Sequence, residues 1–361
     1  MKKSYYTQMS KQCLKAAAVF ILSFAGIVKN VSAQETKIFK ANIGLVYPLS
    51  TNGTHAPLDT NNLSLNLIAG VSSAEKGSSF AGLSNVVRHY TKGAQFAGFS
   101  NHIGTEADGA LFAGFLNTYR SAKGVQFAGF ANVAQNNVTG AQFAGFINTV
   151  KDLKGSQFAG FINVSKNVEG NQFAGFINVA KNVKGIQAAG FINIAENSDF
   201  PIGIINLVKN GEKSIAATID DDQTSMLTFR SGGKYLYGII GVGYNFKNKE
   251  EVYAFEAGLG AHFFQSKHFR LNTELVQGML ESFEKGEYIK SALRILPALK
   301  VTKLFEIFAG PSLNFVSTNS TEGLLLHPEG NRNVLHTWNS RWSDHRQTLY
   351  IGYQAGLQVV F

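Results

Sequence analysis

The chain has few of the residues that usually cross-link a fold or interrupt its regular secondary structure. Among 361 residues there are one cysteine (Cys13), six prolines and two tryptophans, and only 16% are charged. A single cysteine excludes an intramolecular disulfide framework. After residue 33 no apolar run approaches the ~20 residues that a membrane-spanning helix needs. Stability is therefore expected to come from backbone hydrogen-bond ladders and packed apolar faces.

The N-terminus resembles an export signal. Four lysines precede an apolar run at 16–28, and small residues ending in Ala33 follow it. This pattern predicts a secretory signal peptide over 1–33, with a buried N-terminal helix as the alternative. The segment holds five lysines and no acidic residue, so its removal would lower the net charge from +9 to about +4. With no basic stripe elsewhere, nucleic acid is not an expected partner.

Glycine and phenylalanine, in contrast, are abundant, and they recur in a repeat. A clear copy reads Gly140-Ala-Gln-Phe-Ala-Gly-Phe-Ile-Asn148. The leading glycines are 15 or 16 residues apart, at positions 77, 93, 109, 124, 140, 155, 170 and 185. A fixed short period is typical of arrays that grow by stacking.

The repeat favours a β-solenoid with one coil per copy. Stacked coils would place identical residues above one another, and such ladders stabilise stacked strands. The expected amide ladder is Asn85, Asn101, Asn117, Asn132, Asn148, Asn163, Asn178, Asn193 and Asn206. The expected aromatic ladder is Phe99, Phe115, Phe130, Phe146, Phe161, Phe176 and Phe191. Gly98 and its equivalents would mark a tight bend or a close backbone approach.

A second interpretation makes each copy one strand of a single large antiparallel barrel that includes the repeats. The stretch 142–150 has a suitable length for such a strand. Against this reading, all turns in the array are equally short, whereas membrane barrels alternate short and long connections. Antiparallel neighbours would also lose the in-register stacking of asparagine and phenylalanine. The sequence favours the solenoid.

The C-terminal part reads as antiparallel barrel strands. The last strand alternates apolar with small or polar residues back from Phe361, as a wall between lipid and a polar lumen requires. Candidate strands are 226–231, 234–246, 251–264, 269–281, 288–301, 304–316 and 348–361. The predicted organisation is 1–33 signal peptide, 34–76 N-terminal β-strands, 77–208 repeat array, 209–225 polar junction and 226–361 barrel-like strands.

These features together resemble one protein family. The Gly-x-Gln-Phe-Ala-Gly-Phe-x-Asn array, the terminating stretch Asp199-Phe-Pro-Ile-Gly-Ile-Ile-Asn206 and the strands ending in Phe361 are similar to the surface repeat-containing proteins of bacteria with an outer membrane. The resemblance implies a location at the outer membrane or cell surface. It implies no catalytic residues.

The chemically richest stretch is the loop around 327–346, which contains three histidines and both tryptophans. The spacing of these histidines fits no metal-binding pattern, and neither a metal site nor a cofactor is expected. Trp338, Arg341 and Trp342 form a possible partner-binding surface, because tryptophan and arginine often anchor interfaces. The alternative is a solvated loop whose tryptophans fold back on the barrel rim.

The sequence therefore predicts a non-enzymatic outer-membrane or cell-surface repeat protein with a structural or interaction role. Outer-membrane lipid is the expected partner, and the ligand is left open. A porin-like transport barrel and a secreted adhesin without membrane insertion are the alternatives. An enzyme is not expected, since the recurring polar residues are asparagine and glutamine, which suit neither nucleophilic nor acid–base chemistry.

Overall fold

The computed structural model describes residues 38–39, 41–283, 286–328, 333–341 and 343–361. These residues form an almost entirely β structure, with a parallel β-solenoid of about ten turns and a separate closed antiparallel barrel of eight strands. The predicted fold class is thereby confirmed. The signal peptide predicted at 1–33 lies outside the described residues. Within them, no helix is long and apolar enough to cross a membrane.

The solenoid comprises twenty short strands and one 3₁₀ helix (Gly53–Leu58). The strands are β1 (Ile38–Phe39), β2 (Asn42–Val46), β3 (Leu49–Ser50), β4 (Thr60–Ser72), β5 (Ala74–Ala81), β6 (Ser84–Val87), β7 (Thr91–Ala97), β8 (Ser100–Ile103), β9 (Glu106–Ala113), β10 (Leu116–Tyr119), β11 (Ser121–Ala128), β12 (Ala131–Ala134), β13 (Asn137–Ala144), β14 (Ile147–Ala159), β15 (Ile162–Ala174), β16 (Ile177–Val179), β17 (Asn182–Ala189), β18 (Ile192–Ala195), β19 (Asn197–Ile202) and β20 (Ile205–Val208).

Successive copies of the repeat pair in parallel and in register. Gln142 lies beside Gln157 and Asn148 beside Asn163, as do the equivalent residues of neighbouring coils. The alternative of one large antiparallel barrel is therefore wrong. Parallel pairing prevails because it stacks identical side chains, which an antiparallel arrangement would separate.

Amide side chains form ladders in the interior of the solenoid, beside a buried apolar cluster that includes Val138, Leu153 and Val168. Each ladder asparagine from Asn85 to Asn193 donates one Nδ2 hydrogen to Oδ1 of the asparagine one coil later, at 2.9–3.1 Å. It also donates to a backbone carbonyl at 2.7–2.9 Å. A second ladder, which the sequence did not reveal, runs in the opposite direction through Gln187, Gln172, Gln157 and Gln142. Most of these buried amide groups have hydrogen-bond partners, which makes their burial tolerable; Gln187 Oε1, at the end of the glutamine ladder, has none among the described residues.

The predicted boundaries of the array need one correction. Strands β4 and β5 stack in parallel on the repeat coils, so the solenoid begins before Gly77 and includes much of the segment predicted as separate N-terminal strands. Repeat spacing did not show this, because β4 stacks like a repeat coil without carrying the repeat sequence.

Glu75 in β5 provides a pH-dependent prediction for the first coils. Its buried Oε1 accepts hydrogen bonds from Asn61 Nδ2 and Ser64 Oγ, and burial raises the pKa of the carboxyl above its usual value. The folded state thus holds a proton that the unfolded state has already released, and stability falls as pH rises above the unfolded pKa. Glu75→Gln, which mimics the protonated form, is expected to raise the urea midpoint more at pH 8 than at pH 4.

Protease resistance of residues 60–208 in increasing urea would measure that midpoint. Glu169→Gln is the matched control, because Glu169 is exposed and forms an ion pair with Lys184 on the solenoid surface. An equal effect of Glu75→Gln at both pH values would contradict the prediction.

The barrel strands are β21 (Lys213–Asp220), β22 (Thr224–Gly232), β23 (Leu236–Asn245), β24 (Tyr253–Phe263), β25 (Phe269–Glu281), β26 (Tyr288–Lys300), β27 (Phe305–Thr318) and β29 (Arg346–Val360). Pairing of β21 with β29 closes the cylinder. The segment 213–220, predicted as part of a polar junction, is therefore a barrel strand. Between β27 and β29 lie a short helix, α1 (Thr321–Leu326), and the added strand β28 (Val334–Asn339), which pairs with β29.

The last coil of the solenoid rests on the barrel. Asn206, which ends the asparagine ladder, donates two hydrogen bonds to Ser231: its Nδ2 to the backbone carbonyl at 3.0 Å and its backbone N–H to the hydroxyl oxygen at 2.9 Å. Nearby, the carbonyls of Gly203 and Ile204 approach Gly238 of β23 so closely that no side chain would fit there. The barrel thus covers the sheet edge that the solenoid would otherwise expose.

Candidate functional site

The barrel has an apolar outer face. Outward-pointing residues alternate with lumen residues on every strand, and many of those that carry large apolar side chains are between 38% and 63% exposed. They include Ile215, Ile219, Leu227, Val242, Phe255, Leu259, Leu275, Met279, Leu293, Ile295, Ile307, Leu313, Ile351, Leu357 and Val359. This continuous surface is called the apolar band below.

The lumen, in contrast, carries buried charges that pair with one another. Glu274 accepts hydrogen bonds from Arg230 Nε at 2.8 Å and from the Tyr237 hydroxyl at 3.0 Å. Arg294 lies between Glu274 and Glu256, with an Nη2 to Oε2 distance of 2.8 Å to the latter. These four charged residues come from β22, β24, β25 and β26, so their partners are set by the barrel register.

A second set of ion pairs lies nearer the end of the barrel that holds the chain terminus. Arg270 contacts both Glu306 and Glu212, and the Glu306 carboxylate also accepts from Gln358 Nε2 at 2.6 Å. An eight-stranded barrel encloses a space that side chains can fill. Here they fill it with paired charges and a few apolar clusters such as Ala216, Leu296, Ala298 and Phe308.

The loop after β27 folds into the opposite mouth of the barrel. Leu326 of α1 is buried in a cluster with Met226, Tyr288 and Tyr350, all of which point into the lumen. His327 follows it, with Nε2 at 3.3 Å from the Asp222 carboxylate. This end of the lumen is therefore closed by the chain's own residues.

Two of the three residues predicted as a partner-binding surface, Trp338 and Arg341, lie in the described part of the chain. Trp338 in β28 is half-buried, and its ring lies 5.8 Å from that of Phe315 on the outside of the barrel wall. Arg341 is exposed in the following turn. Trp342 lies outside the described residues. For Trp338 the geometry corresponds to the alternative in which the tryptophan packs against the barrel.

The solenoid carries an open apolar groove with a volume of about 1220 Å³. Its floor and walls come from the Phe-Ala-Gly part of each repeat, as in Phe143, Ala144 and Gly145. The strand alternates, so that Gln142 points inward and Phe143 outward. Phenylalanine rings of successive coils stack with their centroids 4.7–5.2 Å apart along the whole wall, from Phe80 through Phe96, Phe112, Phe127, Phe143 and Phe158 to Phe173.

This groove was not predicted, although the ladder predicted from Phe99 to Phe191 is present. Its rings stack at 4.7–5.2 Å, and most of them are 36–50% exposed. The signal for the groove was the second phenylalanine, three residues earlier in every copy from Phe96 to Phe173. A bend at Ala-Gly separates the two rings, so both point away from the solenoid instead of to opposite faces.

In the described ranges, no three His, Cys, Asp or Glu side chains are grouped to hold a metal ion. Comparisons of the chain with protein-family models, with curated proteins and with solved structures found no match.

Proposed function

We propose that this chain is a non-enzymatic outer-membrane protein in which the barrel is the membrane anchor and the solenoid is a rigid arm with a structural or interaction role. The observation that carries the proposal is the polarity of the barrel, which has its apolar residues outside and its charges inside. A water-soluble barrel needs the reverse arrangement, because buried charges are costly and an exposed apolar band favours association. In a bilayer the band faces lipid, as in known membrane barrels.

The connections support an orientation for the chain. The turns at 233–235, 264–268 and 301–304 are short, and the longest connection, 319–345, lies at the other end of the barrel. Membrane barrels have short periplasmic turns and longer outer loops. The start of β21 and the end of β29 share the short-turn end. The solenoid, which leads into β21, would therefore extend on the periplasmic side, and α1 with β28 would face outward.

The two alternative functions receive less support. A porin-like channel needs an open lumen, whereas ion pairs fill this lumen and Leu326 with His327 closes one mouth. A secreted adhesin without membrane insertion would expose the apolar band to water. The lumen charges pair with one another, so their place in the barrel is explained without catalysis. The resemblance to surface repeat-containing proteins agrees with the membrane assignment.

A charge placed in the apolar band tests the proposal. Leu293 lies in the middle of β26 between Leu275 and Leu313, where an arginine would cost about 2–4 kcal/mol in a bilayer. Leu293→Arg is expected to reduce the membrane-inserted, heat-resistant fraction strongly. Leu325→Arg is the matched control, because Leu325 in α1 is 71% exposed outside the band and should assemble like the parent. Parent-like insertion of Leu293→Arg would overturn the membrane assignment.

A further inference from the structure

We infer that the solenoid groove binds an acyl chain of a phospholipid from the membrane leaflet next to the barrel. The inference rests on the proposed function, since it requires the barrel to stand in a bilayer. Three features of the groove point to this occupant: the chemistry of its lining, the uniformity of that lining along the groove, and its position against the barrel.

The lining offers almost no polar side chain. Among the described residues that form it, Asn66 near the N-terminal end is the only one with a polar side chain, and the rest are phenylalanine, alanine, glycine, isoleucine and leucine. The backbone groups of the lining strands hydrogen-bond to the neighbouring coils. A peptide or a sugar in this groove would leave its own donors and acceptors without partners, which costs free energy. An alkyl chain has none to satisfy.

The groove is also uniform along its length. Seven stacked phenylalanine rings at a strand spacing of about 4.8 Å give it an aromatic wall roughly 30 Å long. One leaflet of a bilayer's hydrocarbon core is about 15 Å thick, half of the full core, so an extended acyl chain fits within the groove. A lining that repeats at every coil suits a ligand made of identical methylene groups.

The end of the groove meets the barrel. Ile202 lines the groove, and the next residue, Gly203, packs against Gly238 on the outward face of β23. Gly238 pairs across the strands with Leu259, a member of the apolar band that is 43% exposed. Only a few residues therefore separate the groove from the surface that would contact lipid. The phenylalanine wall ends at Phe173, two coils before the barrel, and Ala188 and Ile202 occupy the next two ladder positions.

The test is photo-crosslinking of the full chain in nanodiscs that contain a phospholipid with a labelled acyl chain. The photoreactive residue p-benzoylphenylalanine replaces either Phe143, which lines the groove, or Phe146, which follows the bend of the same coil and lies outside it. Both replacements keep an aromatic ring in a stacked ladder, so they are matched for folding. Labelled lipid is expected to crosslink at position 143 at least about tenfold more than at position 146.

A charge near the barrel end of the groove provides the second arm. Phe173→Asp, combined with the photoreactive residue at 143, is expected to lower crosslinking about tenfold, because a chain that extends toward the barrel must pass the carboxylate. Phe176→Asp in the second ladder of the same coil is the control and should leave the yield unchanged.

The outcomes separate the inference from the proposed function. Failure of the parent to insert into nanodiscs would overturn both. Insertion with no lipid crosslink at 143, or with equal crosslinks at 143 and 146, would overturn the lipid site alone. A crosslink at 143 to a second copy of the chain instead of to lipid would also overturn it, and would identify the groove as an interface between copies.

Discussion

Replacing Glu274 by alanine is expected to destabilise the barrel by about 3–5 kcal/mol, because it leaves buried arginines without their counter-charge. Glu274 lies between Arg230 and Arg294, and its side chain is fully buried. Without it Arg230 loses its ion-pair partner while Arg294 keeps Glu256, and the Tyr237 hydroxyl loses its acceptor. The folded, heat-resistant fraction in detergent should fall sharply, and the urea midpoint with it.

Two further variants make this prediction specific. Gln277→Ala changes an exposed, outward-facing residue of the same strand and should have little effect. The double variant Arg230→Met/Glu274→Met removes both charges while Arg294 keeps Glu256, so it should lose less stability than Glu274→Ala alone. A double variant as unstable as the single one would show that the ion pair itself, and not the unpaired charge, determines stability.

Gly145→Val is expected to disrupt the coil stack by at least about 4 kcal/mol, although Gly145 lies at the surface. A Cβ atom at this position would lie 2.1 Å from the carbonyl oxygen of Gly129 in the preceding coil. That oxygen belongs to the backbone and cannot rotate away. Protease resistance of residues 60–208 should be lost, while the heat resistance of the barrel is retained.

The control for this substitution is Ala141→Val in the same coil. The equivalent residue of the preceding coil is Val125, so a branched side chain is accepted at this point of the stack, and Ala141→Val should behave like the parent. Equal tolerance of Gly145→Val would show that the coils can separate locally without cost, contrary to the close approach of the two glycines.

The solenoid could be predicted from the sequence because identical residues at a fixed step specify their own neighbours. Asn148 and Asn163 stack as expected, and Gly98 approaches the preceding coil as expected. The final strand could also be predicted, because apolar residues alternate with small or polar residues up to Phe361. Strand β21 was missed, because its short alternation ends in three consecutive aspartates that resemble a solvated turn.

The candidate sites were harder to predict for a different reason. The pair Arg230–Glu274 joins residues 44 positions apart, and only the register of three intervening strand pairings brings them together. Likewise, nothing local indicates that Leu326 enters the barrel mouth. The groove depends on the bend between Phe143 and Phe146, whereas the sequence pattern alone does not show which of the two rings lines a groove.

The coils have matching faces, and this affects how the gene can gain or lose copies of the repeat. Each coil presents to its successor the same surface that it receives from its predecessor, as the pairing of Gln142 with Gln157 and of Gln157 with Gln172 shows. Recombination between neighbouring copies can therefore add or remove whole coils while the first coils and the barrel contact stay unaltered. Each event would change the reach of the arm by about 4.8 Å. The number of copies thus determines the length of the solenoid, which can change in steps of one strand spacing without any new kind of contact between coils.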